Sequence, residues 1–530
     1  MYRTTLIALA CLIGSSLFAQ QLTWMPEKGT KQENFLKNKS FLRSITCWDS
    51  DEMLVHNPSE LFVMDVATAK IKANFSHNEI EKAKKGKYMD DLQTSQRRGA
   101  VVLSKTGGNY ELTLVPVSAE GLGDPVNWCS FAGELAIRDK DLQDHIFVSD
   151  NREYVLLALP REGQMELRVF DAALQEVYRK DVPSTFELDG REFVYFEMDA
   201  SVSDEGDLRL TCLLEDKKSS SRDWDKLGLV FLGYEYQQDQ LHQHLVNLDQ
   251  VAGNDKKAFN WPDNKKFLLG SYVTFNAPYG TIEGDELYEF GFNRETGSAI
   301  FAGLYKSLDG GGIFTVQHNF TKNELRPIKK HGLSDKIKAN MLQEHFKGKT
   351  PKRPHLRISK ILGKENGDFL VLADLIYEFK ESGYWTYYSW DVIYQNIGPE
   401  NQLAWQGNVS KKFRSKIMGS GAFAAMSSGD DVYFIFNHAE RRGNSGLVGC
   451  MLKSDGSQQK LALRNTREDA VIIPVMPDEV PVQAAPLVAA GKFVKPLGTS
   501  GPTQLDRNTL LVFCVNEKRS KVLLLKIGEK

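Results

Sequence analysis

The sequence predicts an all-β fold made by repeating one antiparallel unit, and three observations predict it. Stretches of four to nine residues rich in Val, Ile, Leu, Tyr and Phe recur along the chain, bounded by Gly, Asp, Asn and Ser, which is the pattern of strands separated by turns. A polar turn precedes the first long strand of a unit at a constant offset. Val148-Ser149-Asp150-Asn151-Arg152-Glu153 leads into Tyr154-Val155-Leu156-Leu157, and Val202-Ser203-Asp204-Glu205-Gly206-Asp207 leads into Leu208-Arg209-Leu210. One loop later a second strand follows in every copy, so the repeating element is a hairpin that buries its faces against the next copy.

Taken in order, the first strands of the units start near Met53, Ala100, Tyr154, Leu208, Ala299, Phe369, Val432 and Leu510. Their partners fall at residues 61–66, 110–117, 165–171, 227–236, 313–320, 387–395, 447–452 and 522–527. Third strands are visible at 176–180 and 240–248, and upstream strands at 286–292 and 355–360, which completes a four-stranded meander. Four antiparallel strands per unit, repeated radially, define a β-propeller of seven or eight blades with short helical insertions. A pair of stacked sandwiches is the competing arrangement.

The steps between unit starts run from 47 to 91 residues, above the usual blade length of about 40 to 50, so insertions must absorb the excess. Two are predicted helical, near 78–92 and 334–346, the second with Ser334 as its cap. Residues 249–297 and 460–508 are long excursions from the repeat. The final unit stops after its second strand, which leaves an apolar edge. An N-terminal segment such as Gln21-Leu22-Thr23-Trp24 is predicted to pair with it and lock the ring.

Residues 1–19 read as a signal peptide, with Arg3 before an apolar stretch and Ala19 before the cleavage point. The expected mature chain, 20–530, is a single exported domain, periplasmic or extracellular, with no transmembrane segment. A net charge of -3 argues against a nucleic-acid partner. Five cysteines remain after Cys11, without a close pair or zinc spacing; Cys212 and Cys514 sit inside apolar strands and are expected to be buried hydrophobes.

Residues Glu60 to Ile71 resemble the blade signature of exported propellers of the TolB and dipeptidyl-peptidase IV type, in which an apolar strand ends at Asp before a short turn. Met165-Glu166-Leu167-Arg168-Val169-Phe170-Asp171 is similar. This resemblance implies a fold and no activity, because the nucleophile turn of the peptidase domain is absent from the sequence. Ser307-Leu308-Asp309-Gly310-Gly311-Gly312-Ile313-Phe314 resembles the Asp box of sialidase-like propellers, which implies a turn lock with its aromatic ring packed between blades.

The residues that invite chemistry are few. Residues 322–360 carry twelve cations against three carboxylates, a patch suited to an acidic protein or polysaccharide partner, with Lys329, Lys330, Lys352 and Arg353 as its representatives. Aromatics concentrate between Tyr377 and Trp405; Tyr384 and Trp385 follow Gly383 at an expected hairpin tip and are the candidates for stacking on a sugar or a partner. His242-Gln243-His244 puts two imidazoles on one strand face without an evident third ligand, so no metal is assigned. Asp309-Gly310-Gly311-Gly312 lacks the Lys and Ser/Thr of a phosphate loop, and no cofactor is expected. No catalytic residue is assigned. The acidic turns Asp204-Glu205 and Asp430-Asp431, and Asp374 near Glu378, are the only paired carboxylates considered. The predicted function is a binding or scaffolding module. A carbohydrate-active hydrolase or lyase working in the central funnel is the alternative.

Overall fold

The computed structural model describes residues 21–25, 44–48, 51–56, 60–65, 71–149, 151–218, 224–251, 259–260, 266–269, 288–305, 311–338, 353–381, 384–411, 413–415, 423–441, 444–461, 471–473, 504–506, 509–516 and 519–528. Residues 1–20, which include the predicted signal peptide, and Lys352 lie outside them.

Among the described residues eight sheets, antiparallel within each four-stranded blade, follow one another along the chain, and they are numbered here as blades 1 to 8. Blade 1 is Ser44–Trp48, Glu52–His56, Glu60–Asp65 and Ile71–Ser76; blade 2 is Lys87–Gln93, Arg98–Thr106, Asn109–Ser118 and Val126–Ala132; blade 3 is Ile146–Val148, Tyr154–Pro160, Gln164–Asp171 and Glu176–Pro183; blade 7 is Phe423–Ser428, Asp431–Arg441, Asn444–Leu452 and Gln458–Leu461; blade 8 is built on Val471–Ile473, Thr509–Asn516 and Arg519–Gly528. Blade 4 runs Arg191–Val202, Leu208–Asp216, Leu227–Glu235 and Gln240–Asn247, with a short extra strand, Thr185–Leu188, folded back on the first. Blade 5 is Tyr288–Asn293, Ser298–Tyr305, Gly312–Asn319 and Glu324–Gly332; blade 6 is Arg353–Gly363, Phe369–Glu381, Tyr384–Ile397 and Leu403–Val409. All eight predicted unit starts fall in the second strand of a blade.

The first strand of each of these blades adjoins the first strand of the next, from blade 1 to 2, 3 to 4, 4 to 5, 5 to 6 and 6 to 7. Successive sheets that touch neighbour to neighbour through their first strands are arranged radially. This is a propeller, and the stacked-sandwich alternative falls away. Gln21–Met25 pairs antiparallel with the C-terminal strand Arg519–Gly528, from Gln21↔Gly528 to Met25↔Leu524. The last blade is therefore assembled from both ends of the chain, as the unpaired edge required.

Strand periodicity explains the packing. Val155, Leu157 and Leu159 join the core shared with blade 2, whereas Leu156 and Ala158 join the core shared with blade 4. In the same way Ala299 and Phe301 face blade 4 while Ile300 and Ala302 face blade 6. A central strand of a radial stack is buried on both faces, so it reads as a continuous apolar run instead of alternating with polar residues.

The repeated polar turn keeps one hydrogen bond. The carbonyls of Ser149, Ser203 and Lys364 accept the amides three residues on, Arg152, Gly206 and Gly367, and these three have φ of 62°, 88° and 89°. Ser203 with Asp207 and Lys364 with Asp368 close three-residue hairpins, and Ser149 with Tyr154 closes a loop one residue longer. Its acidic tips tie neighbouring blades: Asp204 accepts the Asn151 amide at 3.4 Å and Asp430 accepts the Asn366 amide at 2.8 Å.

One predicted insertion is corrected. The helix expected near 78–92 is His77–Lys84 only, capped by a reciprocal Ser76–Glu79 pair and ended by Lys85 at φ 51°; residues Lys87–Gln93 form the first strand of blade 2. Tyr88 and Leu92 belong to that strand, and a Cβ on Gly86 would meet Val102 Cγ1 at 2.5 Å, so the close approach of two strands breaks the helix there. Near 334–346 a helical turn at 335–338 is described, with Ser334 Oγ accepting the Ile337 amide at 3.4 Å; the remainder lies outside the described residues. Of the excursion 249–297, Lys266–Leu269 pairs in parallel with the first strand of blade 6 and Tyr288–Asn293 opens blade 5. The excursion 460–508 contributes Val471–Ile473 and Gln504–Asp506 to blade 8.

Candidate functional site

The chain path brings most of the sequence-predicted residues to one rim. In a meander the turn between second and third strands lies on the same rim as the connection from a fourth strand to the next blade. Lys329 and Lys330 are exposed near the end of the fourth strand of blade 5, opposite Thr315 and Phe314 at the start of the third. Arg353 opens blade 6 and is in register with Glu378, while Tyr384 and Trp385 follow the turn of that blade, in register with Glu381 and Lys380. Two strands of 13 and 14 residues carry that turn outward from blade 6. Lys352 immediately precedes Arg353 but lies outside the described residues.

Part of the basic patch is already neutralised. Arg326 reaches both Glu324 and Glu400 at 2.8 Å, and Lys329 Nζ donates to the Glu400 carbonyl at 3.3 Å. Lys330 lies over the Tyr305 ring at 5.5 Å. Lys360 is drawn inward, donating to the Ala425 carbonyl of the next blade at 3.2 Å, and burial pulls its ammonium down to about 8. The aromatic cluster is divided as well: Tyr394 is buried between blades and meets Trp405 edge-on at 5.7 Å.

A second concentration of charge, which the sequence reading did not name, lies on the inner strands. Glu197 and Asp199 alternate on the first strand of blade 4 and so share a face. A register shift between Tyr195 and Glu197 precedes them, and comparable shifts precede Asp90 in blade 2 and Lys360 in blade 6; such bulges re-aim side chains. Tyr288 of blade 5 donates its hydroxyl to Glu197 Oε2. Asp199 accepts the Ala200 amide at 2.9 Å, yet burial, helped by Glu197, pushes its carboxyl up to about 7. Nothing in the spacing of Glu197, Asp199 and Tyr288 marks them in the sequence, because blade closure alone brings Tyr288 across.

The other predicted groups have structural roles. Asp374, considered with Glu378 as a carboxylate pair, is buried and bridged to Lys411 Nζ at 3.1 Å. Asp204 and Asp430 are the blade ties described above. Cys129, Cys212 and Cys450 are free and buried, and burial raises the Cys212 thiol to about 12. Gly311 has φ 65° and buried Phe314 meets Trp224 of blade 4 edge-on at 4.9 Å; Ser307 to Gly310, on which the Asp-box resemblance rests, lie outside the described residues. Among the described residues no helix is long and apolar enough to cross a membrane.

The sheet arrangement makes this chain a β-propeller. No family model matches the chain, and no curated protein matches it. Solved structures similar to it include propellers. The WD40 domain of SCAP from fission yeast aligns over 95% of this chain and 99% of its own, at 10% identity and a TM-score of 0.36. The Dos1 propeller aligns over 96% of each chain at 7% identity and a TM-score of 0.40. The β-propeller domain of the Trilobed protease from Pyrococcus furiosus aligns over 81% of this chain and 97% of its own, at 8% identity and a TM-score of 0.33.

Proposed function

We propose that this chain is an exported propeller, periplasmic or extracellular, that acts as a binding or scaffolding module and holds an acidic protein or polysaccharide on the rim of blades 5 and 6. The observation that carries this reading is topological. Three separate segments, holding Lys329 and Lys330, Arg353, and Tyr384 and Trp385, reach the same rim of adjacent blades. Cations attract an acidic partner over a distance set by salt, and aromatic rings add contact area with little entropy to lose.

Heparin chromatography tests it. The parent should be retained and released by salt, and a variant with Lys329, Lys330, Lys352 and Arg353 all replaced by Ser should elute several-fold earlier in salt concentration. Equal elution of the two refutes the rim as a basic binding face. Export is tested by N-terminal sequencing of the protein recovered outside the cytoplasm, with Gln20 as the expected first residue.

The inner strands favour a second reading, a carbohydrate-active hydrolase or lyase in the central funnel. Two carboxylates in different protonation states are what acid–base chemistry needs, and Glu197 and Asp199 are held in different surroundings on one strand. Turnover of any glycan that is abolished by Asp199→Asn and by Glu197→Gln, with the rim variant unaffected, would select this reading over the first.

A further inference from the structure

One cation of the basic stretch 322–360 belongs to the inner wall. Lys360 lies on Arg353–Gly363, the first strand of blade 6, which adjoins the first strands of blades 5 and 7. Its strand neighbours are apolar: Ile358 and Ile361 enter the core shared with blade 5, and Leu362 enters the core shared with blade 7. A bulge interrupts that packing. The register shifts between Ile358 and Lys360, Ser359 turns its hydroxyl onto the Leu372 carbonyl at 3.2 Å, and Lys360 itself stands opposite Leu372.

We propose that Lys360 is a nucleophilic amine that captures an uncharged aldehyde at the inner wall as a reversible imine.

Three features carry the inference. First, the bulge re-aims the side chain and leaves Lys360 half-buried, enclosed by the wall yet still touched by solvent. Second, Nζ donates to the Ala425 carbonyl of blade 7 at 3.2 Å, and among the described residues no carboxylate forms an ion pair with it. An amine held by a neutral acceptor can lose its extra proton and keep that bond, because NH2 donates one hydrogen to Ala425 and leaves its lone pair for a carbonyl carbon. Third, a lysine that burial relieves of its proton is the side chain that forms Schiff bases. Burial takes Lys360 from 10.5 to about 8, opposed only in part by Glu289 of blade 5, so at pH 7 its neutral form is about 300 times more abundant than on an ordinary lysine.

The step balances without an oxidant or reductant. The Nζ lone pair forms the C–N bond while the carbonyl π pair moves to oxygen; that oxygen takes one proton from nitrogen and one from solvent and leaves as water. The protonated imine keeps one N–H for the Ala425 carbonyl, and Glu289 favours its positive charge. Glu289 on blade 5 and Glu197 on blade 4 are carboxylates of the same inner strands, and they repel an anionic aldehyde.

Labelling of the full chain with glyceraldehyde at pH 7, trapped by cyanoborohydride and mapped by peptide mass spectrometry, tests the amine. Lys360 should be modified at least tenfold faster than the exposed Lys82 and Lys85 of the same molecule. Lys360→Arg keeps a donor for Ala425 and should lose the fast phase of labelling with its thermal midpoint unchanged. Glyoxylate, an aldehyde that carries a carboxylate, should show at least a threefold smaller preference for Lys360. A role confined to tying blade 6 to blade 7 predicts labelling of Lys360 no faster than of Lys82 and Lys85, and that result in the parent overturns the proposal. An equal preference with glyoxylate overturns the choice of an uncharged ligand.

Discussion

Ring closure by the N-terminal strand can be tested by removing it. Gln21–Met25 contributes five residue pairs to the edge of Arg519–Gly528. With about one hydrogen bond per pair at roughly 1 kcal/mol net, the strand contributes about 5 kcal/mol, a large share of the ~5–15 kcal/mol that holds a typical domain folded. A chain beginning at residue 27 should therefore unfold at a markedly lower guanidinium midpoint than one beginning at Gln20. It also exposes the edge of a strand that contains Val522-Leu523-Leu524-Leu525, and such an edge recruits other chains. The truncated protein should self-associate in a concentration-dependent way by light scattering. Equal midpoints and a monomeric truncated chain would refute closure by this strand.

Three further outcomes follow from buried charge and tight packing. Lys411→Met leaves Asp374 without its fully buried cation and should cost about 3–5 kcal/mol in denaturant unfolding; adding Asp374→Asn should recover a large part of that loss. Asp199 has a carboxyl raised from 3.8 to about 7, so folding favours its protonated form. The parent is penalised progressively as pH rises from about 4 to 7, by up to about 4 kcal/mol. Asp199→Asn should match the parent near pH 4 and exceed it in stability at pH 8, and equal pH profiles would show that Asp199 titrates normally. At Gly312 an added Cβ would stand 2.1 Å from the His331 carbonyl oxygen; Gly312→Ala should push the third and fourth strands of blade 5 apart and cost about 1–3 kcal/mol in the same unfolding assay.

How much of this was readable in the chain depends on the separation of the residues involved. Tyr154, Leu208 and Val432 announce strands through their neighbours, because a turn and the strand after it are local. The error at 78–92 was local too. Ile80, Tyr88 and Leu92 fit a sparse helical face, but Gly86 and the left-handed Lys85 punctuate the segment, and only the first half is helix. Partnerships across blades were not legible. Asp374 looked like half of a carboxylate pair until Lys411, 37 positions on, proved to be its neighbour. Glu197 meets Tyr288 across 91 positions, and no periodicity along one strand reports such a contact.

The sequence by itself determined the units: eight hairpins, their polar turns, their doubly apolar strands and the need for something to cover the last edge. These are set by backbone geometry and side-chain alternation within about ten residues. Tertiary structure alone decided which charges are spent and which remain. It buried Lys411 and Asp374 together, drew Lys360 inward and set Glu197 and Asp199 on the inner wall. The physical reason is that a side chain's protonation and ligand preference follow its surroundings, and in a radial fold half of those surroundings come from the neighbouring blade.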